Sequence, residues 1–156
     1  MLRRTIASYV ALVLGATTCA YAQNELRGVN KMRVEVGDLD DDAKQCGLTR
    51  EAIERRLVQA VQFDTDIQFV KGPRLPLLRA DVPVMRTRGL CVAHVLIQVV
   101  MTDSFDFSLG DKRMGTIELF KAGAIATTEK TDGSGILGTV AHLGHTLAQQ
   151  WDEDNP

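Results

Sequence analysis

The sequence predicts an α+β domain, a two-layer sandwich in which two helices cover one face of a mainly antiparallel sheet. Five segments alternate between apolar and polar residues, the period of strands that have one dry and one wetter face. Two other segments repeat apolar residues at spacings of three and four, as amphipathic helices do. The predicted order is β-α-β-β-β-β-α, and two packed layers are the simplest way to bury one face of every element.

The first predicted strand and helix lie in the first half of the chain. Residues 29–36 alternate between apolar and polar side chains, which predicts a half-buried strand. A helix follows, because Thr49 is a suitable N-cap and Glu51 places a negative charge in the first turn. The apolar residues of this helix fall on one stripe: Ile53, Leu57, Ala60 and Val61.

Three more strands are predicted in the middle of the chain. Residues 66–70 form the second, and residues 77–84 the third, which Pro76 and Pro83 confine to an edge or a strand end. The strongest signal spans residues 90–102, where alternate residues form an unbroken apolar face. That face consists of Cys91, Ala93, Val95, Ile97, Val99 and Met101.

A fifth strand and a second helix close the predicted domain. The strand is expected at residues 114–126, and strict alternation directs Leu119 into the core. The same alternation directs Glu118 and Phe120 to the opposite face of the sheet. A helix is expected at residues 136–151, with one apolar stripe: Ile136, Val140, Leu143, Leu147 and Trp151.

Residues 1–22 have the layout of a secretory signal peptide. Two arginines precede an apolar run, and small residues stand at the two positions that a signal peptidase reads. We expect cleavage after Ala22, which leaves residues 23–156 as one mature domain in the periplasm or outside the cell. An uncleaved anchor and a lipoprotein modified at Cys19 are the alternatives.

Composition excludes two classes of protein. The formal net charge is −2 for the whole chain. The charged residues of the signal are both basic, so its loss would make the chain more acidic, and we expect no nucleic-acid partner. No second long apolar run exists, so we do not expect an integral membrane protein.

Two cysteines remain after the predicted cleavage, Cys46 and Cys91, and an even number in an oxidising compartment permits a disulfide. If the second and third strands form an antiparallel pair, the strand that starts at Cys91 begins at the end of the sheet remote from Cys46. That separation exceeds the roughly 7 Å between Cα atoms that a bridge allows. We therefore expect two free thiols, with the disulfide as the alternative.

Four segments stand out along the chain: the opening strand at 29–36, the Gly-Leu-Thr helix start at 47–49, the Gln-containing apolar run at 96–100 and the Asn-Pro end at 155–156. In these segments the chain resembles small exported bacterial α/β proteins of unknown function. The resemblance implies the fold and an extracytoplasmic compartment. Similar modules occur among cell-envelope assembly and regulatory proteins, an analogy of fold alone.

Two motifs invite a metal, and both lack ligands. Asp38, Asp40 and Asp42 alternate like the start of a calcium loop, but that loop needs a glycine and a glutamate at positions that Ala43 and Thr49 occupy. We interpret the run as a solvated loop.

The second motif is His142 with His145, one helical turn apart, for which nearby sequence provides no third ligand. We expect no metal and no cofactor.

No residue stands in a recognisable catalytic context. Cys91 and His94 would lie on opposite faces of one strand and about 10 Å apart, which rejects a nucleophile–base pair. The serines stand outside any nucleophile motif. We therefore predict no catalytic residue and favour a non-catalytic protein over an enzyme.

The sheet face without helices is the predicted binding surface. Apolar residues among polar ones suit a contact with an envelope protein or with a second copy of this chain. A small periplasmic hydrolase or ligand-binding protein that uses His94 and Gln98 is the rival hypothesis. The predicted face consists of Arg33, Glu35, Arg79, His94, Leu96, Gln98, Glu118 and Phe120.

A basic segment suggests one more contact. Arg74, Arg86 and Arg88 are opposed by little acidic charge in the neighbouring sequence. Outside the cytoplasm such residues suit an anionic surface.

Overall fold

The computed structural model describes residues 25–106, 110, 112–129 and 131–156. The predicted signal peptide and its cleavage site lie outside these residues. The elements are β1 (Lys31–Val36), α1 (Asp41–Gln45), α2 (Arg50–Asp64), β2 (Gln68–Phe69), β3 (Leu77–Asp81), β4 (Val84–Thr87), β5 (Leu90–Asp106), β6 (Lys112–Thr128) and α3 (Ser134–Asp154). The described chain is therefore α+β. It adds the short α1 to the expected order, and the expected third strand is divided at Pro83 into β3 and β4.

The sheet is mixed, and the expectation of a mainly antiparallel sheet is wrong. β1 pairs in parallel with β2 on one side and with β3 on the other. β3, β4 and β6 all pair with β5 in antiparallel fashion. We expected a hairpin between the second and third strands. Instead, residues 70–76 cross β1, because Met32 is the register partner of Phe69 while Arg33 is the partner of Leu77.

Alternate residues of β5 lie on two faces of the sheet, one buried and one more exposed. Its odd-numbered residues from Cys91 to Val99 are buried, whereas His94 is exposed and Leu96 and Gln98 are half-buried. The predicted stripes of α2 and α3 belong to the same core. The two helices approach closely at Gly144, where an added Cβ would stand 2.8 Å from the Cβ of Ala60.

A β-bulge changes which residues of β6 reach the core. Val99 is opposite Phe120, but Val100 is opposite Glu118, so Leu119 is the extra residue. Phe120 therefore lies on the core face and is only 6% exposed. Its predicted place on the open face is wrong, because strict alternation does not survive a bulge.

The two cysteines form a disulfide, so the prediction of free thiols is also wrong. Cys46 and Cys91 have their Cα atoms 6.1 Å apart, within the range for a bridge. The error follows from the sheet. Because β3 runs parallel to β1, the antiparallel β5 begins at the end of the sheet where β1 finishes, beside Cys46.

The start of the described chain is fixed to the end of α3. The buried Leu26 donates its backbone N–H to the Asp154 carboxylate at 3.0 Å. Its carbonyl accepts a hydrogen bond from Asn155 Nδ2 at 3.2 Å, and Trp151 Nε1 donates to the Val29 carbonyl at 2.6 Å. These contacts make the turn before β1 part of the folded domain.

Candidate interaction face

The open face is the side of the sheet opposite the buried side chains, and most of the predicted site residues lie there. Arg79 is the register partner of Gln98, so β3 and β5 place these side chains next to each other. Gln98 Nε2 donates to Glu118 Oε2 at 2.7 Å, which joins β5 to β6. Together with Glu35, which is opposite Arg79 on β1, they form a polar region of this face.

Ion pairs hold this polar region together. Arg79 Nε donates to both carboxylate oxygens of Asp81, at 3.2 and 2.9 Å. These hydrogen bonds, and then the charge of Asp81, raise the pKa of Arg79 above its ordinary value. Lys121 Nζ lies 3.5 Å from Glu118 Oε2. All these groups are partly or fully exposed, so they contribute charge and hydrogen-bonding capacity more than stability.

The other half of the open face is apolar. His94 is opposite Ile125, Leu96 is opposite Gly123, and Val92 is opposite Met85. Ile125 is 74% exposed and Met85 is 59% exposed. An open depression of about 290 Å³ lies among Pro83, Met85, Val92, His94 and Ile125. We call Met85, Val92, Leu96 and Ile125 the apolar patch.

The prediction missed Ile125 for the same reason that it misplaced Phe120. Counting alternate residues from Leu119 directs Ile125 into the core, whereas the bulge directs it to the open face. Met85 was missed because the predicted third strand ended at residue 84. Periodicity gave no signal for residues 84–87, because Val84 and Met85 are both apolar and Arg86 and Thr87 are both polar.

His94 has an apolar environment. A Cβ on Gly123 would lie 3.4 Å from His94 Nε2, so the glycine leaves room for the imidazole over β6. In the part of the chain that the structure describes, no hydrogen bond to the His94 side chain is found. Gln98 is four residues further along β5, about 13 Å away. The structure therefore does not bring these two side chains to one point.

The acidic run has structural partners. Asp40 accepts a hydrogen bond from Ala43 N at 2.7 Å and so caps α1. Asp42 Oδ2 accepts from the backbone N–H of Arg86 at 3.0 Å, which covers the outer edge of β4. Asp38 forms an ion pair with Arg50.

The two histidines of α3, His142 and His145, have different surroundings. His145 Nδ1 lies 3.1 Å from Asp64 Oδ2, which links α3 to the end of α2. His142 is exposed. Across residues 25–106, 110, 112–129 and 131–156, no group of three side chains could hold a metal ion.

The three arginines of the basic segment do not form one surface. Arg86 is opposite Cys91, near the start of β5, and its guanidinium donates to Gln45 at 2.7 Å. Arg74 lies with Asp103 near the far end of β5. The length of β5 between these ends is about 40 Å. Only Arg86 and Arg88 are therefore close enough to act together.

Comparisons with known proteins identify no family. No protein-family model matches this chain, and no curated protein matches it. Among solved structures, the chain is similar to a minor lipoprotein from Acinetobacter baumannii at 14% identity and a TM-score of 0.32, with 78% of this chain and 91% of that chain covered. This degree of similarity is too low to indicate a shared function. Among the described helices, none has both the length and the apolar character needed to cross a membrane.

Proposed function

We propose that this chain is an exported, non-catalytic interaction module that binds a partner protein through the apolar patch of its open face. The observation that supports the proposal is the exposure of Ile125 and Met85, two large apolar side chains within strands of the sheet. Burial of apolar surface contributes about 25 cal/mol per Å² removed from water. A patch of four apolar side chains therefore favours contact with another surface.

The arrangement of charge supports a protein partner. An interface usually has an apolar centre and a polar rim. Here the apolar patch lies beside the polar region of Arg79, Asp81, Gln98 and Glu118, whose side chains are already paired with one another. Paired rim charges need little desolvation to stay in place when a partner docks beside them.

The rival hypothesis, a small hydrolase or ligand-binding protein that uses His94 and Gln98, has less support. It requires polar groups that converge on His94. The neighbours of His94 across the strand are Ile125 and Gly123. An apolar environment of this kind favours a contact surface over a catalytic base.

A site-specific crosslinking experiment tests the proposal. A benzophenone amino acid in place of Ile125 should give a covalent adduct with the partner in the native cell envelope. The matched control carries the same group in place of Gln59, an exposed residue of α2 in the helical layer. Adducts from position 125 alone support the proposal, and equal adducts from both positions, or none from position 125, contradict it.

The size of the adduct identifies the class of partner. An adduct of twice the mass of the chain indicates a second copy, and sedimentation velocity of the purified protein should then show a dimer. Ile125→Glu should abolish that dimer, because it places a charge in the centre of an apolar contact. An adduct of another mass indicates a different envelope protein.

A further inference from the structure

A second cleft lies away from the apolar patch, where β2 ends after two residues and no other described strand continues along that edge of β1. Its volume is about 740 Å³. Helix α2 forms one side and residues 70–73 form another. Its apolar walls consist of Val34, Val58, Phe69, Val70 and Leu77.

Arg33 is the unusual residue of this edge cleft. Its Nε atom is buried and has no hydrogen-bond partner among the residues that the structure describes. Two other arginines contrast with it: Arg79 is paired with Asp81, and Arg50 with Asp38. A buried donor that remains unpaired costs free energy, more so when it belongs to a charged group. An acceptor supplied by a ligand would remove that cost.

The backbone holds Arg33 at this position. Its N–H donates to the Pro76 carbonyl at 2.8 Å, and the neighbouring Met32 carbonyl accepts from Val70 N at 3.0 Å. The crossing segment 70–76 is therefore hydrogen-bonded to β1 at both of its ends, through Val70 and Pro76. These bonds fix the backbone from which the Arg33 side chain extends.

The other charges of the cleft define the anion. Lys71 adds a second cation, and no ion pair of its side chain is found among the described residues. Glu35 and Glu54 also line the cleft, but they are exposed and water solvates them. Their negative charge repels a dianion more than a monoanion. The walls require an apolar body attached to the charged group.

We propose that the edge cleft binds an aliphatic monocarboxylate, with the carboxylate at Arg33 and Lys71 and the hydrocarbon against Val70 and Leu77, the register partner of Arg33. Arg33 presents donors in a planar fork that matches a carboxylate. This inference is independent of the proposed interaction through the apolar patch, since Ile125 and Met85 do not line this cleft.

Calorimetric titration of the purified mature protein with decanoate, below its micelle concentration, tests the inference. Decanoate should bind, and Arg33→Gln should weaken binding at least tenfold, the effect of a lost charge-assisted hydrogen bond. The matched control is Arg56→Gln, an exposed arginine of α2 that does not line the cleft, which should leave the affinity unchanged. Lys71→Gln, in an exposed segment, should weaken binding without affecting the fold and provides a test if Arg33→Gln does not fold.

Three further probes distinguish the ligand chemistry. Decyl phosphate should bind more weakly than decanoate, and decyltrimethylammonium should not bind. The peptide Ala-Leu-Leu with a free carboxylate shows whether a peptide terminus is preferred to a fatty acid, with its C-terminal amide as control. Absence of decanoate binding, equal affinity of Arg33→Gln, or equal binding of the ammonium compound would overturn the inference.

Discussion

Cys46 and Cys91 are joined across the end of the sheet where β1 finishes and β5 begins, with their Cα atoms 6.1 Å apart. The bond links the segment after α1 to the first residues of β5. Asp42 binds the edge of β4 at the same end of the sheet. The disulfide and this hydrogen bond therefore both attach the α1 segment to the sheet.

Removal of this disulfide should reduce stability without changing the fold. The two cysteines are 45 residues apart in sequence, and a closed loop of this length corresponds to about 4 kcal/mol in the chain-entropy estimate. We expect Cys46→Ala/Cys91→Ala to lower the free energy of unfolding by up to that amount, measured by urea denaturation of protein prepared in an oxidising compartment.

Reductant provides the control for the disulfide. It should destabilise the wild-type protein and leave the double variant unaffected. Detection of two free thiols per chain in the oxidised, denatured wild-type protein would show that the bond does not form.

The predictable parts of the fold are those that depend on local sequence. Thr49 caps α2 by accepting from Ala52 N at 3.1 Å, as expected. The alternation of β5 is confirmed from Cys91 to Val99. These patterns need only the period of an element and the chemistry of its first turn.

The parts that failed depend on pairing between distant segments. Whether residues 70–76 turn back as a hairpin or cross β1 is not determined by the alternation of either strand, and this choice decides whether Cys91 lies near Cys46. The bulge at Val99 and Val100 is a property of the β5–β6 pair. It moved Phe120 into the core and Ile125 onto the open face, so periodicity alone could not place Ile125 in the apolar patch.

Processing of the precursor is a prediction that concerns residues outside the described structure. Mass spectrometry of the exported protein should show a chain that begins at Gln23. Ala22→Glu should block cleavage, because a signal peptidase requires a small residue there. Cys19→Ser should have no effect, and a mature chain that begins at a lipid-modified Cys19 would contradict the prediction.

Asp154 should be required for the attachment of the N-terminal turn. In Asp154→Ala the buried N–H of Leu26 loses its acceptor, which costs about 1–3 kcal/mol. Asp154→Asn keeps an acceptor oxygen and should lose much less. Thermal unfolding of the two variants gives the comparison, and equal losses would mean that the negative charge, not the hydrogen bond, stabilises this end of the domain.

Close packing of the helices should make Gly144 sensitive to a single methyl group. A Cβ there would lie 2.8 Å from the Cβ of Ala60 and 3.3 Å from Leu57 Cδ1, so α2 and α3 must separate to accept Gly144→Ala. We expect destabilisation by about 1–3 kcal/mol. Gly138→Ala is the control, because no described atom outside the helix backbone lies within 4 Å of its Cβ position and alanine favours a helix. It should be neutral or stabilising in the same denaturation assay.

The two faces of β5 and β6 should respond differently to the same substitution. Ile125→Ser and Leu96→Ser alter side chains of the open face, so the free energy of unfolding should fall by at most about 1 kcal/mol. Ile97→Ser and Phe120→Ser create a cavity and bury a hydroxyl on the core face, and each should cost about 3 kcal/mol or more. Leu96 and Ile97 are adjacent and form a matched pair.

Binding should show the opposite order to stability. If the apolar patch is the interface, Ile125→Ser should reduce partner recovery strongly while the fold remains intact, because central apolar contacts dominate interface energy. Lys121→Ser is the control on the same strand, since Lys121 belongs to the polar region beside the patch. A large loss of stability in Ile125→Ser would mean that the open face is covered within the monomer, and the proposed interface would then lose its physical basis.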